Sequence, residues 1–157
     1  MKHKSLRALC ALLAVLLLVM AFAACKQVKP ITAAQFMELT QAEGYVIEDF
    51  TAVYAESGWN VVAGLEATKG DIEIAFFSFD TSQSAVTFFG VNKEMIEAIK
   101  QSGELTTTVT AGARNVYKLR GTQTYYILNQ AGPTLLYASC PRASAAALDA
   151  MIEALGY

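Results

Sequence analysis

The feature that most constrains this chain is an apolar run of seventeen residues, Ala8 to Ala24, that ends at a cysteine, Cys25. Three basic residues stand among the seven that precede the run. A basic region followed by an apolar region is the order that export machinery recognises, and small residues at the end of the run suit a signal peptidase. The pattern predicts a signal peptide, so the rest of the chain should fold outside the cytoplasm.

The segment Phe22-Ala23-Ala24-Cys25 resembles the lipobox of bacterial lipoproteins. In that family a diacylglyceryl group is attached to the cysteine thiol, and the signal peptide is cut immediately before it. The resemblance implies cleavage between Ala24 and Cys25, fatty acyl chains such as palmitate on Cys25, and a cell-membrane anchor on the extracytoplasmic side. The chain thus resembles the small bacterial lipoproteins, which implies a location but no activity.

The apolar run also reaches the lower end of the roughly 17 to 25 residues that span a bilayer as a helix. An uncleaved signal anchor is therefore the alternative hypothesis, and it too leaves the basic start inside and the domain outside. The predicted organisation is a signal peptide over residues 1–24, a lipidated N-terminus and short tether over 25–31, and one domain over 32–157.

Charge and glycine placement exclude two classes of partner. Nine basic and fourteen acidic residues follow Cys25, which gives the mature chain a formal charge of −5. The basic residues are scattered and form no stripe that could follow a phosphate backbone, so no nucleic acid is expected. No glycine-rich loop begins a helix as a phosphate cradle requires, so no nucleotide is expected either.

The reactive side chains are few after Cys25. The single histidine, His3, lies in the predicted signal peptide, so imidazole catalysis and histidine-bound metals are excluded from the mature domain. Cys140 has no cysteine partner once Cys10 is removed and Cys25 is acylated, and we expect it to be a buried, inert thiol. No cofactor and no metal are predicted.

Hydrophobic periodicity and turn residues divide the domain into helices and strands. Thr32 and Gln35 form a predicted capping box at the first helix. Helices are predicted over Ala33–Glu43, between Thr81 and Gly103, and over Arg142–Leu155. Strands are predicted over Tyr45–Asp49, Trp59–Thr68, Asp71–Phe79, Thr106–Thr110, Arg114–Arg120, Thr122–Asn129 and Thr134–Ser139.

The order α-β-β-β-α-β-β-β(-β)-α and the short turns predict an α+β fold, an antiparallel sheet with helices packed on one face. Residues 50–58 stay ambiguous between a loop and a helical turn. In the first long strand, alternate positions from Trp59 to Ala67 are expected to share one face. In the central helix the predicted inner stripe is Phe88, Val91, Met95 and Ile99.

Aromatic residues are the candidate ligand contacts. An aromatic ring on an open sheet face can stack on a sugar or a peptide, but strand tyrosines commonly pack in the core, and both interpretations stay open. Adjacent Tyr125 and Tyr126 must send their rings to opposite faces. The candidates are Trp59, Tyr117, Tyr125, Tyr126 and Tyr137.

Neighbouring acids are predicted to be solvated surface groups, since none has the spacing of a calcium loop. They are Glu48 with Asp49, Asp71 with Glu73, and Glu94 with Glu97.

Three functional hypotheses follow. The first is a non-catalytic binding or accessory module that contacts membrane lipid through Cys25 and engages an envelope protein, peptide or glycan. The second is an envelope enzyme that uses carboxylate or lysine chemistry without histidine, which requires two acids in a concave pocket. The third is a structural partner in an assembly, marked by a contiguous exposed apolar patch.

Overall fold

The structure is a computed structural model that describes residues 29–157. The predicted signal peptide, its cleavage site and Cys25 lie outside the described residues, so the leader and its lipid stay predictions. Within 29–157 four α-helices and seven strands follow one another. The helices are α1 (Ala33–Ala42), α2 (Thr51–Ala55), α3 (Ser82–Ile99) and α4 (Ala145–Ala154), the last preceded by a 3₁₀ turn at Arg142–Ser144. The strands are β1 (Val46–Asp49), β2 (Val61–Lys69), β3 (Ile72–Phe79), β4 (Leu105–Ala111), β5 (Arg114–Arg120), β6 (Thr124–Ala131) and β7 (Thr134–Pro141).

Three two-residue turns fix the strand pairing. Gly70, Gly112 and Gly132 each take the first turn position with positive φ, between 52° and 59°. Glycine there produces the hairpin turn whose twist matches that of the flanking strands. The turn after β2 is Gly70-Asp71, one residue later than the sequence predicts, because Lys69 pairs with Ile72 and is still part of the ladder.

All seven strands form one antiparallel sheet in the order β1-β2-β3-β7-β6-β5-β4. Two meanders, β1 to β3 and β4 to β7, meet where β3 pairs with β7. The predicted α+β class and antiparallel sheet are confirmed. The order of elements also agrees, with α2 added in the stretch that the sequence leaves ambiguous.

The helices pack on both faces of the sheet, so the prediction of one covered face is wrong. One apolar cluster joins α1 and α4 to the sheet and contains Phe76 and Leu136. A second cluster joins α3 to the opposite side and contains Phe77 and Leu135. Along β3 and β7, apolar side chains therefore point to both faces of the sheet, and both faces must be buried by other elements. We call the side of α1 and α4 the closed face and the side of α2 and α3 the open face.

A β-bulge corrects the predicted face of β2. The register shifts between Val61 and Ala63, and Val61 therefore lies in the open-face cluster while Leu65 and Ala67 lie in the closed-face cluster. An extra residue in one strand exchanges the faces of the positions on either side of it. Periodicity alone cannot reveal such an insertion.

The inner stripe of α3 also differs from the predicted one. Phe88 is buried as expected, but Met95 is 63% exposed and Ile99 is 58% exposed. The buried positions are Ala85, Phe88, Phe89 and Ile96. Both stripes have helical spacing and share Phe88, so only the position of the sheet decides between them.

The capping box at the start of α1 forms as the sequence predicts. The backbone N–H of Gln35 donates to Thr32 Oγ1 at 3.2 Å, and the backbone N–H of Thr32 donates to Gln35 Oε1 at 2.9 Å. At α3 the cap is Thr81, whose Oγ1 accepts from the Ser84 backbone N–H at 3.1 Å. These local bonds satisfy N–H groups that a helix start leaves free.

Candidate ligand-binding cavity

A cavity of about 240 Å³ lies on the open face, where α2 and α3 leave the central strands partly uncovered. Its lining combines aromatic rings with carboxylates. The lining residues are Tyr54, Glu66, Glu73, Ala75, Phe77, Phe88, Asn92 and Tyr137.

The strand register places the floor of the cavity. Glu66 on β2 pairs with Ala75 on β3, and Ala75 pairs with Tyr137 on β7. Directly paired residues of an antiparallel sheet lie on the same face, so these three side chains stand side by side. Glu73 lies two residues before Ala75 on the same face. The small methyl group of Ala75, between two larger side chains, leaves the space that forms the cavity.

Aromatic packing fixes the walls. The Tyr54 ring from α2 meets the Phe77 ring edge-on, with centroids 4.8 Å apart, and Phe77 lies 5.1 Å from Phe88 of α3. Tyr54 can approach the sheet because Gly64 has no side chain. A Cβ at Gly64 would stand 3.0 Å from the Tyr54 ring. The wall formed by Tyr54 therefore depends on Gly64, because a residue without a side chain lets α2 pack directly on β2.

The carboxylates of the cavity lack a basic partner. None of the salt bridges among residues 29–157 includes Glu66 or Glu73, and no lysine or arginine lines the cavity. Glu73 Oε2 accepts a long hydrogen bond from the Ser139 hydroxyl, at 3.5 Å. Burial raises the pKa of Glu66, and the neighbouring charges of Glu73 and Glu48 raise it further.

Charge is segregated between the two faces of the sheet. Every charged strand residue that the register places on the open face is acidic: Glu48, Glu66 and Glu73. The charged strand residues of the closed face are Asp49, Lys69, Arg114, Lys118 and Arg120. The strand surface of the open face, which lines the cavity, therefore favours a cation over an anion.

The closed face holds a polar cluster that is already satisfied. Asp149 of α4 accepts from Lys118 Nζ at 2.6 Å and from the Tyr125 hydroxyl at 2.9 Å. Burial lowers the pKa of Lys118, but the hydrogen bonds to Asp149 and Tyr125 outweigh it and the pKa is raised. A lysine held in its charged form is not a nucleophile, so this cluster does not support lysine chemistry.

The structure separates the aromatic candidates into two groups. Tyr137 lines the cavity, Tyr126 lies 6.5 Å from it between ring centroids, and Trp59 packs edge-on against Phe88 at 5.3 Å. Tyr117 and Tyr125 are fully buried, so they contribute to the core rather than to the cavity. Tyr125 and Tyr126 point to opposite faces, as predicted.

Cys140 is buried in the closed-face cluster with Leu136 and Ala138, which confirms the predicted position. Burial raises the pKa of its thiol, and the charge of Asp149 raises it further. A thiol that stays protonated is a poor nucleophile.

Sequence reasoning missed Glu66, Tyr54 and Asn92 as cavity residues. The available signal was the polar side of β2, where Gly64 and Glu66 alternate with apolar positions. Glu73 was predicted to be a solvated acid, and it is exposed at the mouth of the cavity.

No protein-family model matches the chain, and no curated protein matches its sequence. Across residues 29–157, no helix is long and apolar enough to cross a membrane, and no cluster of three or more metal-ligating side chains occurs.

Proposed function

We propose that the chain is a membrane-anchored, extracytoplasmic binding module whose open-face cavity takes an organic cation. The ligand class is an ammonium or guanidinium group on an apolar stem, either a small amine or a basic side chain of an envelope peptide. The observation that carries the proposal is the cavity that joins aromatic walls to two carboxylates without a basic partner. Aromatic faces and carboxylates both attract cations, and the aromatic walls also accommodate the stem.

The proposed anchor is a diacylglyceryl group on Cys25 after cleavage behind Ala24. Its support is the basic start, the apolar run and the small residues before the cysteine. Two acyl chains give stable attachment, whereas one chain gives only marginal binding.

Replacement of Cys25 tests the anchor. Mass spectrometry of the wild-type chain from membranes should show loss of residues 1–24 and an added lipid mass. Cys25→Ala should release or mislocalise the domain, while Cys140→Ala, with its buried thiol, should remain in the membrane fraction. A Cys25→Ala chain that stays attached with Met1 present would establish the signal anchor instead.

Binding to a matched pair of probes tests the cavity. Benzylguanidine carries the charge and the ring, and benzylurea has nearly the same shape without the charge. Titration calorimetry of the full chain in detergent should detect the cation and not the urea. Because one close charge pair is lost, Glu66→Gln should weaken binding of the cation by roughly tenfold.

A second substitution tests the position of the site. Ala75→Leu removes no contacting group but fills the floor, and it should abolish binding of benzylguanidine. Ala147→Leu, an exposed alanine on α4 across the sheet, is the matched control and should bind normally. Equal affinity for both probes, or normal binding by Ala75→Leu, would refute a cation site in this cavity. A peptide that ends in a benzylguanidine group is titrated in the same assay. Tighter binding than that of benzylguanidine itself indicates a peptide ligand, and no gain in affinity indicates a small amine.

A carboxylate-based hydrolase is the second candidate. The observation that favours it is the raised pKa of Glu66 beside Glu73 in a concave site, the arrangement that a general acid requires. The full chain is incubated with purified peptidoglycan, and released fragments are identified by mass spectrometry. Hydrolysis that is abolished by Glu66→Gln would support the hydrolase. Peptidoglycan that stays intact would contradict it and leave binding as the proposed function.

A further inference from the structure

The two edges of the sheet are built differently, and the difference concerns β4. Strand β1 has four residues, two of which, Glu48 and Asp49, are acidic, and α2 begins two residues after it. Strand β4 has seven residues, all of them exposed, with the sequence Leu-Thr-Thr-Thr-Val-Thr-Ala. Natural proteins protect edge strands by shortness, charge, proline, bulges or a covering element. Strand β4 has no charge and no proline, and its register with β5 is continuous.

The hairpin geometry shows which backbone groups of β4 are free. Ala111 and Arg114 flank a two-residue turn and therefore form a hydrogen-bonded pair. Bonded and non-bonded pairs alternate along the ladder. The N–H and C=O groups of Thr106, Thr108 and Thr110 consequently point away from β5, at the edge where no further strand of the described chain lies.

We propose that β4 pairs antiparallel with β4 of a second copy of this chain, about a two-fold axis at Thr107. In this register Leu105 of each copy faces Val109 of the other, and Thr106 faces Thr108. The free backbone groups of Thr106 and Thr108 then bond to each other across the axis, as an antiparallel ladder requires.

The side chains favour a second copy over an unrelated strand. Leu105 is 68% exposed and Val109 is 48% exposed, and both lie on the closed-face side, where they pair with Arg120 and Val116 of β5. Self-pairing places these two apolar groups side by side and opposes no like charges. A two-fold contact of this kind is self-complementary, so it closes at a dimer with one sheet of fourteen strands.

Disulfide trapping tests the register. Thr107→Cys in the full chain places two cysteines opposite each other in a non-bonded pair, whose Cα separation of about 4.5 Å suits a disulfide. Mild oxidation of membranes should give a disulfide-linked dimer. Thr110→Cys is the matched control, since two copies of residue 110 would lie about 20 Å apart. The wild-type chain controls for its own cysteines.

Weakening the contact gives an independent measurement. Val109→Lys introduces a charge at the interface, and the interface contains this residue twice, so self-association in detergent should weaken by about tenfold. Val46→Lys, at an exposed valine of the β1 edge, should leave it unchanged, and unaltered melting of both variants shows that they are folded. Three results would each overturn the proposal. The wild-type chain could be monomeric at every concentration, or Thr107→Cys could form no more dimer than Thr110→Cys. Thr107→Cys could also be trapped only with another protein.

Discussion

The closed and open faces of the sheet differ in how their charged groups are partnered. On the closed face, α1 and α4 bury Phe36 and Leu148 completely, and the charged Asp149 has two hydrogen-bond donors. On the open face, α2 and α3 leave a cavity, and Glu66 stands beside like charges. The carboxylate of the closed face is therefore satisfied within the fold, whereas the acids of the open-face cavity have no basic partner among residues 29–157.

The largest expected effect lies in the closed-face core. Phe36 is fully buried and stacks on Phe76 with centroids 5.2 Å apart. Phe36→Ala should lower the free energy of unfolding by about 3 to 5 kcal/mol, because it leaves a cavity in a packed core. Tyr54→Ala, at a half-buried ring of the open face, should cost distinctly less. Urea denaturation of both variants checks the difference, and equal losses would contradict the comparison.

Loss of Asp149 should have the next largest effect. Asp149→Ala leaves Lys118 and the Tyr125 hydroxyl without their acceptor, but both charged side chains are about one-third exposed and water screens them. The expected loss is therefore about 1 to 2 kcal/mol. Glu153→Ala, at an exposed site on the same helix, is the control. A stable Asp149→Ala protein would mean that water replaces the carboxylate without cost.

Two tyrosine-to-phenylalanine substitutions should have opposite effects on the free energy of unfolding. The buried Tyr117 hydroxyl, on the open face, has no hydrogen-bond partner among the described residues, whereas the Tyr125 hydroxyl donates to Asp149. Tyr117→Phe should therefore stabilise the fold and Tyr125→Phe destabilise it, each by about 1 kcal/mol. Thermal melting of the pair measures both shifts. The same sign for both would show that Tyr117 has a partner in solution.

The smallest expected effect concerns Glu66 and depends on pH. Its pKa in the folded state is raised above the ordinary 4.5, so the folded protein holds this proton more tightly than the unfolded chain. Its contribution to stability is thus greatest below pH 4.5 and is lost as the pH rises through the folded pKa. Glu66→Gln should be more stable than wild type at pH 7.5 by about 0.5 kcal/mol, because the ionised carboxylate is partly buried and stands beside like charges on the paired strands.

Denaturation at pH 7.5 and at pH 3.5 checks this prediction, since the advantage of Glu66→Gln should disappear at the lower pH. Glu56→Gln, at an exposed acid after α2, should change little at either pH. If Glu66→Gln were less stable at pH 7.5, burial and the neighbouring acids would not make the ionised carboxylate destabilising.

Short-range sequence signals were sufficient to predict the helices, strands and turns, but not to predict the cavity. The capping box at Thr32 and the glycine turns act within a few residues, so the sequence predicts them with nearly the observed bounds. Glu66, Ala75 and Tyr137 come from three strands, and only the register brings them together. Tyr117 and Tyr137 were equivalent candidates in sequence, but α3 covers one of them and leaves the other at the cavity.

By itself the sequence determined the α+β class, the antiparallel hairpins and the absence of histidine chemistry after Cys25, because periodicity, turn glycines and composition are properties of short segments. The tertiary structure alone decided that helices cover both faces, that α3 exposes Met95, and that unpaired acids meet aromatic rings on one side. These outcomes depend on contacts between distant segments, where the bulge in β2 and the side on which each helix crosses the sheet fix which side chains become neighbours.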